Sequence, residues 1–256
     1  MSFLPTLLIS CLLQGGGEFC ERKGENVRFG GGGFYYTHLS PRADSPQNIN
    51  ENAGGFITIH GRIAPANGQI QLVGDLNLGF GKSNLKNDMK ASFLPSDIEA
   101  NATNFGTQMR VKFGANTYKA TSPIYLNVLY TLDSYLSDIS GKRGFSRMLQ
   151  YIGVEVEGRV PLSRKIRLEY GVGYDVVVNG YYGFSADKDK KDSTISAYSY
   201  ALGGYVGFSY RILKRFHYYM RTNLRYESLG ESSPINAWHY PKSDNFLAGV
   251  ELGFGF

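Results

Sequence analysis

The residues of this chain best placed to do chemistry are His38 and Ser40, in the run His38-Leu39-Ser40. On an extended strand alternate residues share a face, so an imidazole would stand beside a hydroxyl, as a general base stands beside a nucleophile. Such a histidine needs an orienting group, and Glu227 is the candidate carboxylate. The plain reading of the same residues is a strand-end histidine next to a loop serine. His60, His217 and His239 have no metal-ligand spacing with one another or with a carboxylate, so neither a metal nor a cofactor is expected. The 2 cysteines, Cys11 and Cys20, lie near the start and cannot staple the rest of the chain. Gly30 to Gly33 precede no helix signal and read as close strand packing, not as a phosphate cradle.

Composition says which elements must carry these residues. Of 256 residues 32 are Gly, 19 Tyr and 16 Phe, while charged residues make up only 19%. That mix favours β structure and excludes disorder. No apolar run approaches the ~18 residues of a spanning helix. The net charge is +5 with the basic residues scattered, so nucleic acid is a poor partner and anionic lipid a better one. Residues 3–13 are apolar and are followed by Gly15, Gly16 and Gly17, which marks 1–25 as a signal peptide or export segment. Leu8-Ile9-Ser10-Cys11 also resembles a lipobox, and the cleavage site and lipidation stay open.

From residue 26 the hydrophobic period is two. Phe246, Ala248, Val250, Leu252, Phe254 and Phe256 share one face, with Gly249, Glu251, Gly253 and Gly255 opposite. Ten such segments are expected: 26–38, 55–64, 69–81, 105–114, 122–134, 148–160, 165–181, 196–212, 217–229 and 245–256. Most are long enough to cross a bilayer at a tilt. Short connections at 161–165 and 213–216 alternate with long polar ones around 184–196 and 230–244, which predicts an all-β, antiparallel up-and-down transmembrane barrel over 26–256. Eight or twelve strands are the alternatives, because 82–122 shows little alternation.

On these features, and on terminal Phe256 with Phe254 two before it, the chain resembles the small Gram-negative outer-membrane β-barrels of the porin-like class. The resemblance implies residence in the bacterial outer membrane, contact with its lipid and lipopolysaccharide, and recognition of Phe254 and Phe256 by the outer-membrane assembly machinery. It departs from the family at Glu251, where glycine is preferred. No oligomeric state follows. His38-Leu39-Ser40 is also similar to the His-x-Ser pair of outer-membrane lipid A deacylases, although that pair faces lipid and the alternation here turns His38 inward. The paired Asp and Asp-His signatures of the ten-stranded omptin proteases are absent.

Apolar residues toward lipid leave the polar set inside. The expected lumen network is Arg28, Arg62, Asp75, Arg110, Lys112, Glu155, Glu157, Arg159, Arg167, Glu169, Asp175, Arg211, Arg221, Arg225, Glu227 and Glu251. So narrow a barrel is filled by its side chains, which predicts a largely plugged interior. Arg42, Lys82, Lys86, Lys90, Lys142, Arg143, Arg147 and Lys242 fall in or beside the long connections and are the expected lipopolysaccharide contacts. Tyr35, Tyr130, Tyr181, Tyr182, Tyr198 and Tyr200 should form a headgroup girdle. The leading function is a non-enzymatic barrel with exposed loops; the alternatives are a narrow porin-like channel and a lipid A-modifying hydrolase. Deleting Phe256 is expected to lower the yield of folded barrel in outer membranes, read as the fast-migrating band of unheated gels. An undiminished band would show that the terminus is not read.

Overall fold

The computed structural model describes residues 25–42, 45–64, 68–85, 101–118, 122–137, 145–184, 193–195, 198–213, 216–234 and 239–256. Cys11, Cys20 and the export segment up to residue 24 lie outside them, as do Lys86, Lys90, Lys142 and Arg143.

The strands are β1 (Glu25–Arg42), β2 (Ser45–Ile63), β3 (Ile70–Leu85), β4 (Asn101–Asn116), β5 (Ile124–Leu136), β6 (Phe145–Pro161), β7 (Ile166–Phe184), β8 (Ser193–Thr194), β9 (Tyr200–Arg211), β10 (His217–Leu229) and β11 (Ser243–Gly255). All pairings are antiparallel. β6 pairs with β7, and β1 pairs with both β2 and β11, so the sheet closes into a ring of ten strands with the two-residue β8 as an extra on β7. Closure leaves no unpaired strand edge, which is what hydrocarbon demands of a backbone it cannot hydrate.

The two faces invert the pattern of a soluble protein. Ile57, Phe113, Val128, Val172, Leu224 and Leu252 are exposed outside, whereas Arg28, Lys112, Arg167, Glu155, Glu169 and Glu251 are buried inside. Aromatic rings frame the apolar band. At the end with short turns Phe216 stacks on Phe254 with centroids 5.9 Å apart and meets Phe256 edge-on. At the other end Tyr174 stacks on Tyr200 at 5.8 Å, and Tyr226 lies against Phe246. Rings of this kind suit the headgroup boundary.

Three expectations need correction. Strands run further toward the loop end than the alternation suggested: most of 39–54, expected as a loop, continues β1 and β2 as a tall hairpin. Tyr182, expected in the outer girdle, is fully buried inside. Register on β7 slips at Val178, where Gln150 opposes Asn179 but Tyr151 opposes Val177. One extra residue flips the side chains that follow to the other face, so odd residues point inward before Val178 and Gly180 and Tyr182 do so after it. Arg147, expected at a loop base, belongs to β6 and points into the barrel with its side chain 4% exposed.

Leu224 lies on the lipid face between the rings of Tyr218 and Tyr226 on β10. Leu224→Arg is expected to destabilise the barrel by about 2–4 kcal/mol in vesicles, measured by urea unfolding. A neutral result would place that face in water.

Candidate functional site

The lumen is built in layers. Nearest the short turns, Arg28 on β1 spans the barrel to Glu169 on β7 in a bidentate pair at 2.7 and 2.6 Å. Glu169 also accepts from Arg167 beside it and from Ser209 at 2.8 Å. On the far side Arg62 donates to Gln71 at 2.9 Å and to the Tyr125 hydroxyl at 3.0 Å, and Gln71 donates to Asn127. Arg159 pairs with Glu157 at 2.6 Å. Charges this buried are tolerable only with partners in good geometry, and these have them.

A second layer holds Lys112, which reaches Glu155 at 2.7 Å and Glu157 at 3.3 Å. His60 bridges Asp75 on β3 at 2.7 Å and Glu251 on β11 at 2.8 Å. That second contact passes over β1, because the inward residue there is Gly30. A methyl group at Gly30 would meet the Tyr219 hydroxyl and the Glu251 carboxylate. The glycine run therefore does what its sequence suggested and lets neighbouring groups come close.

Above this layer lies a chamber of about 240 Å³. Its ceiling is an arginine and carboxylate cluster. Arg147 on β6 donates to the Tyr36 hydroxyl on β1 at 2.7 Å and to Asp133 at 3.0 Å. Glu227 accepts from Tyr36 and Tyr151, each at 3.0 Å, and from Arg225 Nε at 2.9 Å, while Arg225 also holds Asp175 at 2.7 Å. Over the cluster the β10–β11 connection folds inward. Tyr240 stacks on Tyr182 at 4.2 Å, and its hydroxyl is hydrogen-bonded to His38 Nδ1 at 3.0 Å. Burial, and then the neighbouring Tyr182, push the Tyr240 hydroxyl well above the ordinary range, so it stays protonated. Ser232 and Ser233 tie this segment to β8 and Ile195.

No family model and no curated protein matches this chain. Among solved structures it is similar to the outer membrane protease OmpT from Escherichia coli, 9% identical over 91% of this chain and 96% of that one, with a TM-score of 0.54. It is also similar to an outer membrane channel from Pseudomonas putida, 9% identical over 91% and 96% of the two chains, TM-score 0.45. The translocator domain of the autotransporter NalP from Neisseria meningitidis is 9% identical over 98% and 92%, TM-score 0.43. The fold is that of an outer-membrane β-barrel. Its apolar band and girdles place it in the bacterial outer membrane, while identities this low carry no chemistry across.

Within this outer-membrane barrel nearly all the expected lumen charges do converge. Arg211 stands at the turn-end rim, where it donates to the Arg164 carbonyl at 2.6 Å. Three groups must be added to the expected set: Asp133, His60 and Arg147. The first two sit on the inward parity of their strands, with Thr131 and with Arg62, so the alternation already held them. Apart from Arg211 at the rim, the described inward face carries the cations Arg28, Arg62, Arg110, Lys112, Arg147, Arg159, Arg167, Arg221 and Arg225. It carries one fewer carboxylates: Asp75, Asp133, Glu155, Glu157, Glu169, Asp175, Glu227 and Glu251.

The structure does not join His38 to Glu227. His38 points inward and is buried with Tyr240, and no hydrogen bond joins it to Glu227, whose oxygens are taken by Tyr36, Tyr151 and Arg225. The side chains of Ser40 and Arg42 lie outside the described residues. Lys82 and Lys242 are exposed. Phe254 faces outward in the turn-end girdle beside Phe256.

Arg147→Ala would leave Glu227 and Asp133 without their shared cation. It is expected to destabilise the barrel by about 3–5 kcal/mol in urea unfolding. A loss under about 1 kcal/mol would mean that water or movement satisfies both carboxylates in its absence.

Proposed function

We propose that this chain is a non-enzymatic outer-membrane protein with a charged, largely plugged lumen, acting through the surface its loop end presents. One observation carries the reading: Arg28 and Glu169 join far walls of the lumen in a bidentate pair that spans the barrel near its short turns. The Arg147, Tyr36 and Glu227 cluster bars the way again further up. A ten-stranded cylinder has little free cross-section once such side chains occupy it. The inward-folded Tyr240 segment adds a third obstruction.

Exposed Lys82 and Lys242 support contact with lipopolysaccharide phosphates at the loop end, since amines at a membrane rim gain charge-assisted contacts with anions. The hydrolase reading is disfavoured by the burial of His38 away from lipid and by the engagement of Glu227 with other partners.

Planar-bilayer recording tests the seal. Refolded wild type is expected to give no steady unitary current. Arg28→Ala combined with Glu169→Ala removes both halves of the strut and is expected to open measurable conductance, with folding checked in unheated gels because Glu169 also holds Arg167. A large steady current in the wild type, unchanged in the double variant, would establish the channel reading instead.

A further inference from the structure

We propose that the chamber between the two charged layers is a binding site for a small organic anion, a carboxylate attached to an apolar body. The first observation is a cation held more loosely than its neighbours, in a lining whose other charges are mostly engaged with one another. Arg221 projects into the chamber from β10, and its guanidinium makes no hydrogen bond among the described residues. Its nearest carboxylate is Glu169 at 3.8 Å, and it lies over the Tyr205 ring with Cζ 4.4 Å from the centroid. By contrast Arg28, Arg147 and Arg225 hold their carboxylates at 3.0 Å or less. A guanidinium largely removed from bulk water with no hydrogen-bond acceptor leaves its donors unmet, and an incoming carboxylate would engage them. Arg110, on β4 across the barrel, also faces the chamber with its carboxylate neighbour no closer than 3.6 Å.

The second observation is an apolar patch on the neighbouring β11–β1–β2 wall. Phe34, Phe56 and Leu247 line the chamber there. An apolar patch beside a loosely held cation fits a ligand with the same two ends.

The third observation is the space itself. Gly79, Gly106, Gly203 and Gly249 line the chamber, and a methyl group at any of them would meet nothing closer than 3.5 Å. None has the positive φ that favours glycine. The backbone therefore accepts a side chain at each of these positions, and what the glycines supply is volume. At about 240 Å³ the chamber lies below the ~300–1,000 Å³ of pockets for drug-sized molecules, so the ligand is small.

The site does not depend on the sealed-lumen reading, which stands on conductance; the test here is equilibrium binding. Refolded full-length barrel in detergent micelles is dialysed against labelled benzoate, with folding of every variant checked by its migration in unheated gels. The wild type is expected to show saturable, single-site binding. Arg221→Gln should weaken it by roughly tenfold or more, as loss of a charged hydrogen-bond donor implies, while Arg221→Lys keeps most of it. Gly249→Val, which takes up part of the chamber and leaves every charge in place, should weaken it too. Absent binding in the wild type, or undiminished binding in folded Arg221→Gln, would overturn the proposal. Competition by benzyl alcohol as strong as by unlabelled benzoate would remove the anion from it, and equal competition by inorganic phosphate would remove the apolar body.

Discussion

The constraint on which the rest of the structure depends is that a backbone crossing hydrocarbon must satisfy its own hydrogen bonds. A sheet meets it only by closing, and closing with apolar residues outward commits every inward position to the remaining residues of the sequence. In this chain those residues are charged. The barrel thus concentrates arginine and glutamate in a narrow space where each alone would be untenable, and the pairing pattern follows from that necessity. Arg28 reaches across the whole lumen because its acceptor stands on the opposite wall, and Lys112 divides itself between two glutamates.

The same logic explains the tyrosines inside. Tyr36, Tyr151 and Tyr219 carry hydroxyls that donate to Glu227 and Glu251, and their rings lie under the guanidiniums of Arg147, Arg225 and Arg28. A phenol is both wall filler and hydrogen-bond donor, so it can separate charges without leaving a void. Glycine supplies the complement. Gly171 gives up its side-chain volume to the ring of Tyr205.

Much of this was legible in the chain. Alternation in β7, β9 and β11 assigned the two faces, and with them most of the buried charges. It failed where period two is interrupted. Tyr182 reads as outward from the residues before it, and only the slip at Val178, which leaves no mark in residue type, turns it in. Arg147 was misplaced because a charged residue just beyond an apolar run looks like a loop, although its parity with Leu149 and Tyr151 was already correct. The pairing partners were not legible at all, since they depend on which strands face one another across the ring. Nor could a catalytic grouping be judged from His38 and Ser40 without knowing that Glu227 is spoken for.

The bridge from His60 to Glu251 over Gly30 has a consequence for how the molecule comes together. β1 and β11 are the first and last of the described strands, and their pairing closes the ring only once the strands between them are in place. A glycine-rich strand has few side chains with which to recognise its neighbour, so by itself this seam would slide. The imidazole on β2 sees past the bare strand to the carboxylate on β11, and a shift of one residue would turn that carboxylate toward lipid. The latch of the cylinder is thus held by a strand that is not part of the join, and misaligned closure is rejected by charge, not by shape.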